Sequence, residues 1–159
     1  VEGSVGLIDA FYDNFPAAAS DLADPTFNPG EAYVDRTGET FPGVPQVQTH
    51  LSMQYAFALE VGSDWLDGWI TPRFDWSYQS EVHYFGEELK AAYQGGYHLL
   101  NLRLSYDFLD DRAQFALWGN NVTGTRYFSN ATPIASTMGT VIQFYNAPAS
   151  GGAEFSYRF

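Results

Sequence analysis

Along most of this 159-residue chain, apolar side chains fall on every second position. In the run from Tyr97 to Phe108, Leu100, Leu102, Leu104, Tyr106 and Phe108 share one face, and Asn101, Arg103, Ser105 and Asp107 share the other. A helix would scatter these residues around its circumference, whereas an extended strand sorts them to two sides. From Val47 to Leu59, Val47, Leu51, Met53, Tyr55, Phe57 and Leu59 oppose Gln48, His50, Ser52, Gln54 and Glu60. From Trp69 to Gln79, Ile70, Phe74, Trp76 and Tyr78 oppose Thr71, Arg73, Asp75, Ser77 and Gln79. Pro72 falls on the apolar side and removes a ladder donor, so irregularity is expected in that strand. At the end, Ala153, Phe155, Tyr157 and Phe159 oppose Glu154, Ser156 and Arg158. Two weaker candidates are Arg112–Val122, with Ala113, Phe115 and Leu117 outward, and Val5–Tyr12, which is apolar but alternates poorly.

This pattern predicts an all-β, antiparallel chain of about six strands, at the roughly 9–11 residues a tilted membrane strand needs. The links alternate in length. Gly62–Gly68 and Leu109–Asp110–Asp111 are short; Asp13–Val44, Phe85–Gly95 and Tyr127–Ser150 are long. Short turns on one side and long loops on the other suit an outer-membrane barrel, with the long loops extracellular and the C-terminus periplasmic. A soluble β-sandwich also needs one apolar face, so alternation alone leaves both architectures open; the unequal links favour the barrel. Aromatics near the strand ends are expected to form two girdles, with Tyr84, Phe85, Tyr93, Tyr97, Tyr127 and Phe128 outer and Trp65, Trp69, Phe108 and Phe159 inner.

Composition narrows the partners. Nineteen acidic against seven basic residues give a net charge of −12, which repels nucleic-acid phosphates and anionic membrane surfaces. No apolar run reaches the roughly 20 residues of a membrane helix. With no cysteine there is no disulfide or thiolate metal site. The opening Val1–Gly6 lacks the basic start and apolar core of a signal peptide and reads as strand interior, as if a longer protein were processed or its start lay elsewhere.

Three segments carry a family resemblance. Leu117-Trp118-Gly119-Asn120-Asn121-Val122-Thr123-Gly124, running on to Tyr127-Phe128, resembles the penultimate strand of TonB-dependent receptors, with Val122 and Gly124 where leucine and aspartate are usual. Asn146-Ala147-Pro148 resembles the segment before their last strand, with Ala149 where arginine is common. The terminus, Ala153, Phe155, Tyr157 and Phe159, fits the signal read by the barrel assembly machinery, in physical terms an edge strand able to pair with a template. Upstream, Gly38–Pro45 resembles the family's loop-to-strand entry.

The resemblance implies that residues 1–159 are the C-terminal part of a larger barrel of about 22 strands. The plug domain, the TonB-binding segment and the earlier strands then lie outside this sequence. It also implies uptake of a scarce, bulky nutrient (a siderophore, vitamin or oligosaccharide) energised through TonB. The expected partners are outer-membrane lipid, the remaining strands, the plug, TonB and the assembly machinery. About six strands alone do not close a membrane barrel, and an open sheet in lipid leaves backbone groups unpaired at several kcal/mol each.

No catalytic constellation or cofactor motif is present, so an enzyme is not expected. His50, His83 and His98 lack metal-ligand spacing. The inward charges Arg73, Asp75, Arg103, Asp107, Glu154 and Arg158 are expected to pair across the wall or touch the plug, a structural role more than substrate recognition. The first long loop carries Asp9, Asp13, Asp21, Asp24, Glu31, Asp35 and Glu39 against Arg36 alone. No spacing there matches a calcium loop, so a solvated acidic loop is expected, and calcium binding is the sharper alternative. In the last loop, Tyr127, Phe128, Asn130, Phe144, Tyr145 and Asn146 are expected to pack the loop on itself in preference to stacking on a ligand. Competing readings of the whole are a secreted β-sandwich ligand-binding module and a plain porin or structural barrel.

Overall fold

The computed structural model describes residues 1–16, 18–19, 33–63, 65–85, 89–134 and 140–159. Its strands are β1 (Glu2–Leu7), β2 (Ala18–Ala19), β3 (Tyr33–Val34), β4 (Val47–Gln54), β5 (Phe57–Leu59), β6 (Gly68–Gln79), β7 (Val82–His83), β8 (Tyr93–Gln94), β9 (Tyr97–Phe108), β10 (Ala113–Asn120), β11 (Phe128–Pro133), β12 (Val141–Tyr145) and β13 (Ser150–Tyr157). A 3-10 turn, Lys90–Ala92, is the one helical element among the described residues.

One antiparallel sheet dominates, in the order β1-β4-β6-β9-β10-β13, with β5 also on β6. Its strands follow one another across the sheet in chain order, an antiparallel meander, while β11 and β12 pair apart from it. The Val5–Tyr12 window alternates poorly because the strand lies earlier and ends at Leu7, with Glu2, Ser4 and Gly6 on one face and Gly3, Val5 and Leu7 on the other.

The predicted Val47–Leu59 strand is interrupted at Tyr55–Ala56, and the interruption comes from its partner. β4 and β5 hold a single register on β6, Gln54 opposite Arg73 and Phe57 opposite Ile70. Between them the Tyr55 amide donates to the Pro72 carbonyl at 3.3 Å. Pro72 has no N–H to return, so the ladder opens there. Its other edge is untouched: β6 pairs with β9 without a break from Gly68 to Gln79. The irregularity expected within the Pro72 strand falls on the neighbouring one.

Both short turns are tightly built. In the first, the Asp67 carboxylate accepts from the Val61 amide at 2.8 Å, and the Tyr106 hydroxyl donates to the Leu66 carbonyl. Gly68 is required where the strands meet, since a Cβ there would lie 2.0 Å from the Asp107 carbonyl oxygen. In the second, Leu109, Asp110 and Asp111 all take positive φ, at 57°, 53° and 61°.

The long links contain structure that alternation does not reveal. β7 pairs with β8 within 80–96, and β11 with β12 within 121–149. Ala92, Phe128 and Ala131 are buried together, with Tyr84, Phe85, Leu89 and Val141 packed around them. Several aromatics assigned to an outer girdle therefore form a small core between two loops. The sheet itself has no comparable core: its apolar face is open, with Leu7 75%, Phe57 53%, Leu117 46% and Phe155 66% exposed.

Candidate functional site: the polar face of the sheet

The register carries the polar positions of successive strands into rows. One row runs Gln54–Arg73–Arg103–Trp118–Gly152, and the next Glu2–Ser52–Asp75–Asn101. The opposite face aligns Phe57–Ile70–Tyr106–Phe115–Phe155 in the same way. Cross-strand alignment thus gives one largely apolar face and one polar face across the sheet.

Arg73 and Arg103 sit directly opposite each other, a repulsive placement. Each turns to a carboxylate. Arg73 donates from Nε to Asp75 Oδ2 at 2.7 Å and from Nη2 to Asp75 Oδ1 at 2.9 Å. Ser52 Oγ also donates to Asp75, at 2.7 Å. Arg103 Nη2 reaches Glu154 Oε2 across two strands at 2.8 Å. These charges, with Asn101, Trp118 and Asn120, line a depression of about 500 Å³. Asp107 lies apart and accepts from Gln114 Nε2 at 2.6 Å. Among the described residues Arg158 forms no ion pair; its backbone amide donates to the Arg112 carbonyl at 2.7 Å. Four of the six predicted inward charges are thus brought together as two wall-bound pairs.

The segment after β10 is a hydrogen-bonded terminator. Asn121 adopts φ 49°, and its side chain accepts from the Thr125 amide at 3.0 Å and donates to the Thr125 carbonyl at 2.8 Å. Its own amide donates to Asn101 Oδ1 at 2.8 Å. The Trp118 indole covers Gly152, where a Cβ would lie 2.9 Å from the ring. Sequence reasoning misses these roles of Asn101, Asn121, Ser52 and Gln114, because isolated amides and hydroxyls on a polar face carry no spacing signal.

Around the long links, Phe128 donates its amide to Gln94 Oε1 at 3.0 Å, and Gln143 Nε2 to the Ala91 carbonyl at 2.9 Å. Tyr97 and Tyr127 stack at 4.3 Å and 24°. Arg36 lies 5.5 Å over the Phe85 ring and pairs with Glu39 at 2.8 Å, so the first link joins the second. In the last loop Phe128 is buried and meets Tyr145 at 5.7 Å, while Phe144 and Tyr145 stay 51% and 57% exposed. Burial pushes the Tyr84 phenol up from its ordinary value. Hydrogen bonds from Thr37 hold the Asp35 carboxyl below its own. Of the acidic loop, Asp21, Asp24 and Glu31 lie outside the described residues. Among the described residues no group of three or more His, Asp or Glu is arranged to hold a metal.

The sequence of residues 5–122 matches the family described as TonB dependent receptor-like, beta-barrel. The chain belongs to this TonB-dependent receptor family. No curated protein sequence matches it. Among solved structures it is similar to the ferric yersiniabactin uptake receptor FyuA from Yersinia pestis, with a TM-score of 0.63 and 16% identity. That alignment covers 79% of this chain and 18% of the Yersinia protein, so the likeness is one of fold and the chain spans under a fifth of that receptor. TonB-dependent receptors are outer-membrane transporters, and an antiparallel sheet with one exposed apolar face is the wall such a protein needs. Ala153, Phe155 and Tyr157 project from the apolar face of β13, an outer strand of the sheet, and Phe159 follows in edge contact with Tyr157 at 5.1 Å.

Proposed function

We propose that residues 1–159 form the C-terminal part of a larger receptor barrel, with the plug and earlier strands supplied by residues outside this sequence. The assembled receptor takes up a scarce, bulky nutrient across the outer membrane with energy from TonB. The polar face lines the lumen, with Arg73, Asp75, Arg103 and Glu154 bracing the wall and Asp107 and Arg158 available to the plug. The apolar face meets lipid, the long links are extracellular, and the C-terminus is periplasmic. Ala153, Phe155, Tyr157 and Phe159 serve as the assembly signal.

The carrying observation is the segregation of the two faces across the sheet while the apolar one stays uncovered. A soluble sandwich would bury Phe57, Leu117 and Phe155 against a second sheet. All three are at least 46% exposed. The family match argues against a plain porin.

The cysteine-free chain makes the topology testable in the full receptor. On intact cells, a membrane-impermeant maleimide should label Thr123→Cys and reach Glu60→Cys only after the outer membrane is permeabilised. Equal labelling, or recovery of the protein without detergent, would refute the assignment.

A further inference from the structure

Hydrogen-bonding capacity on the polar face divides by height. Midway along the strands the polar groups bond to one another: Arg73 and Ser52 to Asp75, Arg103 to Glu154, Asn101 to Asn121. Toward the long links the rows become Ser4–His50–Ser77–Leu99 and Gly6–Gln48–Gln79–Tyr97. Apart from His50, none of these residues carries an ionisable charge near neutral pH. They line a depression of about 560 Å³. Among the described residues, the side chains of Gln48, His50, Ser77 and Gln79 make no hydrogen bond within the chain. At their edge stands the stacked Tyr97–Tyr127 pair.

The cations are placed elsewhere. Arg73 and Arg103 are held by carboxylates. Arg36 is held by Glu39, and Arg126 lies over the Tyr145 ring at 5.9 Å. Arg112 and Arg158 sit at the end of the short turns, which leaves Lys90. The links at residues 8–46, 80–96 and 121–149 carry ten carboxylates, seven in the first and three in the second, against Arg36, Lys90 and Arg126. An anion approaching from that end meets a repulsive field and guanidinium groups already engaged. A neutral, hydroxyl-rich molecule meets unpaired amides, hydroxyls and an aromatic platform, groups that bond hydroxyls and stack on a sugar ring.

We infer that this upper wall is a recognition surface for a neutral, polyhydroxylated ligand of oligosaccharide type, in preference to an anionic ferric complex. The inference rests on the receptor reading above and names the cargo class for it. Each free amide offers two donors and an acceptor, and leaving such a site without a hydroxylated partner is what rejects a ligand lacking one.

The test uses the full receptor in detergent, titrated by calorimetry with maltoheptaose, xylohexaose and chitohexaose, and with ferric citrate and a ferric tris-catecholate complex as anionic probes. At least one glycan should bind saturably. The Gln48→Ala/Gln79→Ala pair should weaken it at least tenfold, and Tyr97→Ala should weaken it more than Tyr97→Phe, with heat-modifiable gel migration confirming that each variant folds. The anionic probes should not bind. Tight binding of a ferric complex, no binding of any glycan, or glycan affinity unchanged in the double variant each overturns the inference. Failure of the parent reading looks different: the unaltered receptor would be absent from the outer membrane, or uptake would persist without TonB.

Discussion

Replacing Pro72 by valine should repair the gap between β4 and β5. The Tyr55 amide already donates to the Pro72 carbonyl, and the register is unbroken on either side. A residue with an N–H at this position would return the bond to the Tyr55 carbonyl, and valine suits a pleated site on the apolar face. A hydrogen bond reached by water contributes about 0.5–1.5 kcal/mol net. In hydrocarbon the unpaired carbonyl costs several kcal/mol, which sets the upper bound. Losing proline's restriction of the unfolded chain subtracts roughly 0.4–1 kcal/mol. The expected gain is therefore near zero if water reaches the gap and about 2 kcal/mol or more if lipid surrounds it. Guanidinium unfolding of the full receptor in lipid vesicles reads the stability. Amide exchange reads the bond: in the Pro72→Val variant, the amide introduced by the substitution should be as protected as that of Phe74. Exchange of the introduced amide at loop rates would refute the argument that proline alone opens the ladder.

Other perturbations probe the polar face and the loops. Glu154→Gln should destabilise the receptor by no more than about 1 kcal/mol, since the Arg103–Glu154 pair is 37% and 55% exposed; a larger shift of the unfolding midpoint would mean the pair is dry in the assembled protein. Gly152→Val should push the Trp118 indole from its place over the strand, costing about 1–3 kcal/mol as overpacking does, with altered tryptophan fluorescence as the check and an unchanged spectrum as the refutation. Folding raises the Tyr84 pKa above its ordinary 10.0, so the neutral phenol is favoured in the folded loops. The stability it contributes is complete below about pH 10 and falls as pH rises through the folded value; alkaline titration by ultraviolet absorbance should show a late-ionising tyrosine that Tyr84→Phe removes.

The wall is legible in the sequence because period-two sorting survives any register. Leu100 to Phe108, Ile70 to Tyr78 and Ala153 to Tyr157 need no partner to declare their faces. What escapes depends on neighbours. Pro72 reads as irregular, yet which strand breaks depends on the edge its nitrogen faces. The aromatics Tyr84, Phe85 and Phe128 match a membrane girdle by composition, but pairing between β11 and β12 and contact with the 3-10 turn draw them into a loop core. Of the charges on the polar face, the shared face is readable and the partner is not: Arg103 chooses Glu154, fifty-one residues away, because two ladders set that distance.

All three long links leave the sheet at one end, and the strands close at the other through compact turns in which Gly68 and the Leu109–Asp111 triplet leave little latitude. An insertion in the long links outside their β7–β8 and β11–β12 ladders shifts no register of the main sheet, whereas a one-residue slip of a strand at the tightly turned end carries its whole apolar set to the polar face. Mutation is thereby partitioned by geometry. Lineages are free to rewrite the long links while inheriting the sheet unchanged, so divergence between relatives should accumulate at one rim.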